Sequence, residues 1–212
     1  MSQSEITYTE KVENGGVTAT GLVAAEDLNQ IKAVVNANGV DSETRLVAAE
    51  SRIASTGWAN FENTDYTEAE PLELNVGNGY TMILGMTAAV NTTQWPAGVA
   101  LPFDVVTSKL VGTELNSDYL FRLNFKAQDG ATSVLLDLYI DIGGVPGVIL
   151  SRTNGVAKGA NTETKISILD NYFTGSTFLS NGGDLILSTV DTEDVVSIWD
   201  IRLKITKIHK GI

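Results

Sequence analysis

Trp199-Asp200-Ile201-Arg202-Leu203-Lys204-Ile205-Thr206 decides the fold class. Apolar and polar residues alternate without a break, which is the period of a strand with one buried and one wet face. The same period recurs upstream. Tyr119, Phe121, Leu123 and Phe125 share one face opposite Arg122, Asn124 and Lys126. Leu136, Leu138, Ile140 and Ile142 oppose Asp137, Tyr139 and Asp141, and Gly143-Gly144-Val145-Pro146-Gly147 turns into Val148-Ile149-Leu150. Earlier, Leu72, Leu74 and Val76 alternate with Glu73 and Asn75, and Gly77-Asn78-Gly79 turns into Tyr80 to Leu84. Shorter strands are read at Lys165 to Leu169 and Leu185 to Val190. The sum is about eight or nine antiparallel strands, each with one buried face.

No long helical run follows Ala54, so α/β architectures drop out. The chain is read as mainly β, an antiparallel sandwich of jelly-roll type over residues 57–212. A Greek-key barrel or an immunoglobulin-like sandwich stays open, because alternation reveals strands and not their pairing.

The pattern changes at Thr56-Gly57. Before it, Ala24-Ala25-Glu26-Asp27 opens a helical region with acids where a helix N-terminus favours them. Leu28, Ile31 and Val35 recur at helical spacing, and Asn38 extends the stripe. Asn36-Ala37-Asn38-Gly39 reads as a poor helix interior, so a second unit is expected from Asp41, with Leu46, Ala49 or Glu50, and Ile53 as its seam. Neither unit carries enough apolar surface to stand alone in water. Residues 25–56 are therefore read as a short coiled-coil-like stem of a homotrimer, with Leu28, Ile31, Val35, Leu46 and Ile53 at the seam. Two helices packed on the β domain, or a flexible tether, are the alternatives. Residues 1–24, broken at Gly15-Gly16, are too short for a core and are expected to be an extended docking segment.

Composition narrows the function. The 212 residues include 14 Lys and Arg against 26 Asp and Glu, a formal charge of -12. That balance argues against binding nucleic acid or an anionic membrane. There is no cysteine, hence no disulfide framework and no thiolate metal site. No run of residues approaches the length needed to cross a bilayer. The start, MSQSEITYTE, has neither a basic region nor an apolar core, so no secretory signal is expected.

Catalytic chemistry finds little support. His209 is the single histidine and stands near the C-terminus, so no Ser-His-Asp set can be assembled within one chain. Glu68 with Glu70, and Asp137 with Asp141, are carboxylate pairs that strand geometry would put on common faces, as glycoside hydrolysis requires and as any solvated strand shows. Asp191, Glu193 and Asp194 lack the spacing of a calcium loop. No cofactor or metal is expected, and the chain is read as not an enzyme. Trp58, Phe61 and Tyr66 are expected at the junction of stem and β domain. Trp95, in the loop before Pro96-Ala97-Gly98, is a candidate glycan contact or a pin for its own loop. Ser176, Asn181 and Asp184 offer hydrogen bonds without a catalytic base.

Ala25-Glu26-Asp27-Leu28-Asn29-Gln30-Ile31-Lys32-Ala33-Val34-Val35-Asn36-Ala37-Asn38-Gly39, followed by Glu43-Thr44-Arg45-Leu46-Val47-Ala48-Ala49-Glu50, resembles the stem of tailed-bacteriophage fibre proteins. Gly57-Trp58-Ala59-Asn60-Phe61, Tyr66-Thr67 and Pro71-Leu72 resemble the opening of their C-terminal domains. Tyr139 to Gly144 and Ile198 to Ile205 are similar to their late strands. The likeness covers roughly residues 20–212. It implies a trimeric tumour-necrosis-factor-like jelly roll on the outer surface of a virion, made in the host cytoplasm without a signal peptide. It also implies an N-terminal segment docked on a capsid or adaptor protein, and a β head exposed to host-surface glycan. A head fibre or decoration protein is favoured over a short tail-associated receptor binder, and a glycan-degrading enzyme is less favoured still.

Overall fold

The computed structural model describes residues 25–54, 56–74, 81–129, 134–144, 147–155, 162–189 and 195–209. The expected docking segment, Val76, the Gly77-Asn78-Gly79 turn, Pro146 and the Asp191 to Asp194 cluster lie outside them.

Contacts divide the chain into two compact units, with the boundary between Ile53 and Ala54. Among the described residues of the first unit there is one helix, α1 (Ala25–Ala54), of 30 residues. The two-unit reading is corrected here, because α1 runs straight through Asn36 to Gly39. One glycine inside a helix costs only about 1 kcal/mol relative to alanine. Just beyond it, the Ser42 and Thr44 hydroxyls donate back to the Asn38 and Val40 carbonyls, both at 2.8 Å. Those bonds occupy the two hydroxyls without ending the helix.

The second unit contains β1 (Gly57–Glu62), β2 (Leu72–Leu74), β3 (Thr81–Ile83), β4 (Ala88–Asn91), β5 (Phe103–Asp104) and β6 (Lys109–Leu110). Then come β7 (Asp118–Asp129), β8 (Leu135–Asp141), β9 (Val148–Gly155) and β10 (Thr164–Phe173). A short helix, α2 (Ser176–Asn181), precedes β11 (Gly183–Thr189) and β12 (Val196–His209). Among the described residues the strands form two six-stranded sheets. The first has the order β10-β7-β12-β1-β4, with β2 also on β12; the second runs β5-β6-β11-β8-β9, with β3 also on β11. Every pairing is antiparallel.

Alternation in sequence becomes layering in space. Phe121, Leu123 and Phe125 of β7, Leu136, Leu138 and Ile140 of β8, and Ile201, Leu203 and Ile205 of β12 are all buried in one core. Each such side chain contributes about 1.5–3 kcal/mol by leaving water. Gly57 opens β1 because nothing larger fits: a Cβ there would stand 2.2 Å from the Gln94 carbonyl oxygen. That carbonyl accepts the Trp58 backbone N–H at 3.2 Å.

The long strand β12 carries a bulge between Trp199 and Arg202, where Asp200 takes a positive φ of 55°. The extra residue shifts Trp199 onto the register of the outward-facing Lys126. Trp199 is nevertheless buried, and it lies outside the main cluster that takes in Ile201, Leu203 and Ile205.

Candidate functional site

The expected stem residues are placed as follows. Ile31 is half-buried, whereas Val35 and Leu46 are each 60% exposed. The side chains of Leu28 and Ile53 lie outside the described set. No described side chain of α1 is buried.

The three aromatics expected at the junction separate into different roles. Phe61 is a core residue, its ring tilted against Phe103 at 5.6 Å. Tyr66 packs half-buried on the same cluster. Trp58 is half-exposed, with the Lys204 ammonium 4.4 Å above its ring. Trp95 is buried, donates its indole N–H to the Ala100 carbonyl at 3.0 Å, and stacks on Tyr119 at 6.4 Å. Those contacts are what a tryptophan makes when it pins its own loop.

Tyr119 continues that stack to Tyr172 at 5.1 Å, and Tyr172 to Phe178 of α2 at 5.2 Å. Burial, followed by the nearby Glu114 charge, pushes the Tyr119 phenol up to about 12. Burial, with Tyr119 beside it, holds Tyr172 well above the ordinary tyrosine range. Beside this stack lies an ion pair the sequence did not disclose. Lys207 continues the inward parity of β12, is 1% exposed, and places its Nζ 2.7 Å from Glu114 Oε2.

The two carboxylate pairs fall in different settings. Glu68 and Glu70 lie exposed in the loop before β2 and not on a strand, which corrects that reading; the Thr67 hydroxyl accepts the Glu70 N–H at 3.2 Å. Asp137 accepts from the Tyr139 hydroxyl, and Asp141 from the Gly143 N–H, both at 2.8 Å. Asp184 pairs with Lys109 at 3.1 Å, and the Asn181 amide donates to the Ile142 and Gly143 carbonyls at 2.8 Å. Among the described residues no three His, Cys, Asp or Glu side chains are grouped so as to hold a metal ion. Among them, too, no helix is long and apolar enough to cross a membrane.

One surface stands apart. The outer face of the first sheet carries Arg122 and Lys126 from β7, Lys165 from β10, and Arg202 and Lys204 from β12. Register sets Arg122 directly across from Lys204, and Lys126 directly across from Lys165. Two open depressions, of about 340 and 290 Å³, lie on this face and share Asn124 and Arg202. The second is bounded by Asn60, Glu62 and Val90 on its far side. Sequence parity marked each of these side chains as outward, but only the strand order shows that they are neighbours.

No protein-family model matches this sequence, and no curated protein matches it. Solved structures do. The chain is similar to the Eiger TNF of S. frugiperda at 10% identity, with a TM-score of 0.51 over 74% of this chain and 96% of that one. This likeness shows the fold alone, a tumour-necrosis-factor-like jelly roll. The globular domain of zebrafish complement 1qA aligns with a TM-score of 0.37 at 10% identity, covering 74% of this chain and 99% of the other. The PRD1 vertex protein P5 aligns with a TM-score of 0.36 at 10% identity, covering 74% and 73%.

Proposed function

We propose that this chain is a non-enzymatic structural protein of a phage virion, a homotrimeric head fibre or decoration protein carried on the outer surface of the particle. The observation that carries the reading is α1. It is a continuous 30-residue helix with no buried side chain among those described, and Val35, Val40, Leu46 and Val47 are 58–64% exposed. A helix of that composition gains too little in water by itself, and partner copies that cover its apolar positions supply what it lacks. The jelly-roll unit complements this picture, since its strands are engaged in building a core and its carboxylates in holding turns. Residues 1–24 would dock on a capsid or adaptor protein, and the β unit would face the host. The alternative placement, a short tail-associated receptor binder, uses the same two parts.

The test of position is immunogold labelling of purified particles with antibody raised against the β unit. Label spread over the capsid fits the head-fibre reading, label confined to the tail selects the alternative, and unlabelled particles defeat both. The test of the stem is Ile31→Asp with Val35→Asp, which would set charges facing one another in an apolar seam. The trimer should dissociate. A double variant that stayed trimeric with an unchanged melting temperature would remove the coiled-coil assignment.

A further inference from the structure

We propose that the outer face of the first sheet binds an acidic polysaccharide, through Arg122, Lys165, Arg202 and Lys204, with Asn60 and Asn124 reading its hydroxyl groups. The inference stands on this face alone and does not need the virion assignment.

The first argument is charge. The chain has 26 acids against 14 Lys and Arg, yet five of those 14 cations share one side of one sheet. They are also placed where they oppose folding. Like charges directly across from each other on a sheet are destabilising, and this face contains two such pairs, Arg122 with Lys204 and Lys126 with Lys165. A carboxylate at any of the four positions would turn repulsion into attraction. The acids on the face relieve little of it. Lys126 meets Glu163 at 3.5 Å, and Arg202 meets Asp200 at 2.9 Å in a pair exposed on both sides. Glu62 stands across from Arg202, and Asp118 lies at the far end opposite Phe173. Arg122, Lys165 and Lys204 have no carboxylate at ion-pair distance among the described residues.

The second argument is shape. The two depressions join through Asn124 and Arg202 into one open trough that crosses β10, β7, β12 and β1 and reaches β4 at Val90. Five strands at about 4.8 Å spacing make a trough on the order of 19 Å long. An enclosed pocket would suit a small anion, whereas an open trough suits an extended chain. Its lining mixes cations with neutral hydrogen-bonding groups, the amides of Asn60 and Asn124 and the Ser167 hydroxyl. The half-exposed Trp58, which could stack a base, already has Lys204 over its ring, so single-stranded nucleic acid fits poorly. A sugar chain with one carboxylate or phosphate per unit matches both the spacing of charge and the hydroxyl-seeking groups. Arginine pairs with either anion through two parallel hydrogen bonds.

The competing occupant is an acidic surface of a second copy of this chain, and stability separates the two. The experiment titrates the full-length protein with polygalacturonate, its methyl ester, poly(glycerol phosphate) and, as a competitor class, single-stranded DNA, following Trp fluorescence and heat. The proteins are the wild type, Arg122→Gln with Lys204→Gln, and Arg152→Gln, a cation of β9 in the other sheet. The acidic polymers should bind and the neutral ester should not, and 200 mM salt should weaken binding at least tenfold. The double variant should lose at least tenfold in affinity and the Arg152 variant less than twofold. Whichever acidic polymer binds more tightly identifies the anion. Without ligand, the double variant should melt within a few degrees of the wild type, because the repulsion it loses offsets the lost contact of Lys204 with the Trp58 ring. Absence of binding, equal binding by the double variant, tighter binding of single-stranded DNA, or a lowered melting temperature with loss of oligomer would each overturn the proposal.

Discussion

The helix and the β unit obey opposite rules. In α1 every described side chain is exposed or half-exposed, so no burial among the described side chains explains its stability. In the β unit, buried residues from strands far apart in sequence close one core, and the buried Lys207 finds its partner in Glu114. One part buries its own core in a single chain, while the described side chains of the other bury nothing. On the reading proposed above, stability belongs mainly to the β unit, and assembly belongs to the helix.

Perturbing the β unit should have the largest effect. Phe121 is fully buried, and Phe121→Ala should destabilise the unit by about 3–5 kcal/mol, read as a lowered denaturant midpoint with an unchanged slope. The Lys207–Glu114 pair comes next. Glu114→Ala leaves a buried ammonium without its partner and should cost about 3 kcal/mol, and adding Lys207→Met should recover most of that loss. A double variant as unstable as the single one would show that the pair matters for packing and not for charge.

Alkaline pH gives an intermediate effect. Tyr119 titrates near 12 in the fold, above its ordinary value near 10, so the fold favours the protonated phenol. Stability from this group is full below pH 10 and is lost as pH rises towards 12, with Tyr172 acting in the same direction. Melting temperature should therefore fall between pH 10 and 12, and below the unfolding transition the 295 nm phenolate absorbance of these two rings should rise at higher pH than that of free tyrosine. The smallest change belongs to the helix. A Cβ at Gly39 meets nothing within 4 Å, so Gly39→Ala should raise helix stability by about 1 kcal/mol and leave the melting of the β unit where it was.

Much of the core was legible because its strands are long. Phe121, Leu123 and Phe125, or Ile201, Leu203 and Ile205, declare a buried face by period alone. The two-residue strands β5 and β6 and the six-residue α2 have no room for a period, so more strands are present than alternation revealed. Lys207 falls on the inward parity of β12, and that oddity is visible in the sequence. Its partner Glu114 lies 93 residues away, and no local pattern links them. The basic face escaped notice for the same reason, since Arg122 and Lys204 become neighbours only when β7 pairs with β12. Asn36 to Gly39 misled in the other direction. A weak helix propensity suggested a break that local back-bonding and about 1 kcal/mol of tolerance do not require.

The central claim, that α1 is made for partner copies, is tested most directly by the absolute solution mass of the full-length chain, measured by light scattering after size exclusion. The account predicts three times the 22.6 kDa of one chain, constant across a tenfold dilution. A monomer of 22.6 kDa at every concentration would contradict it.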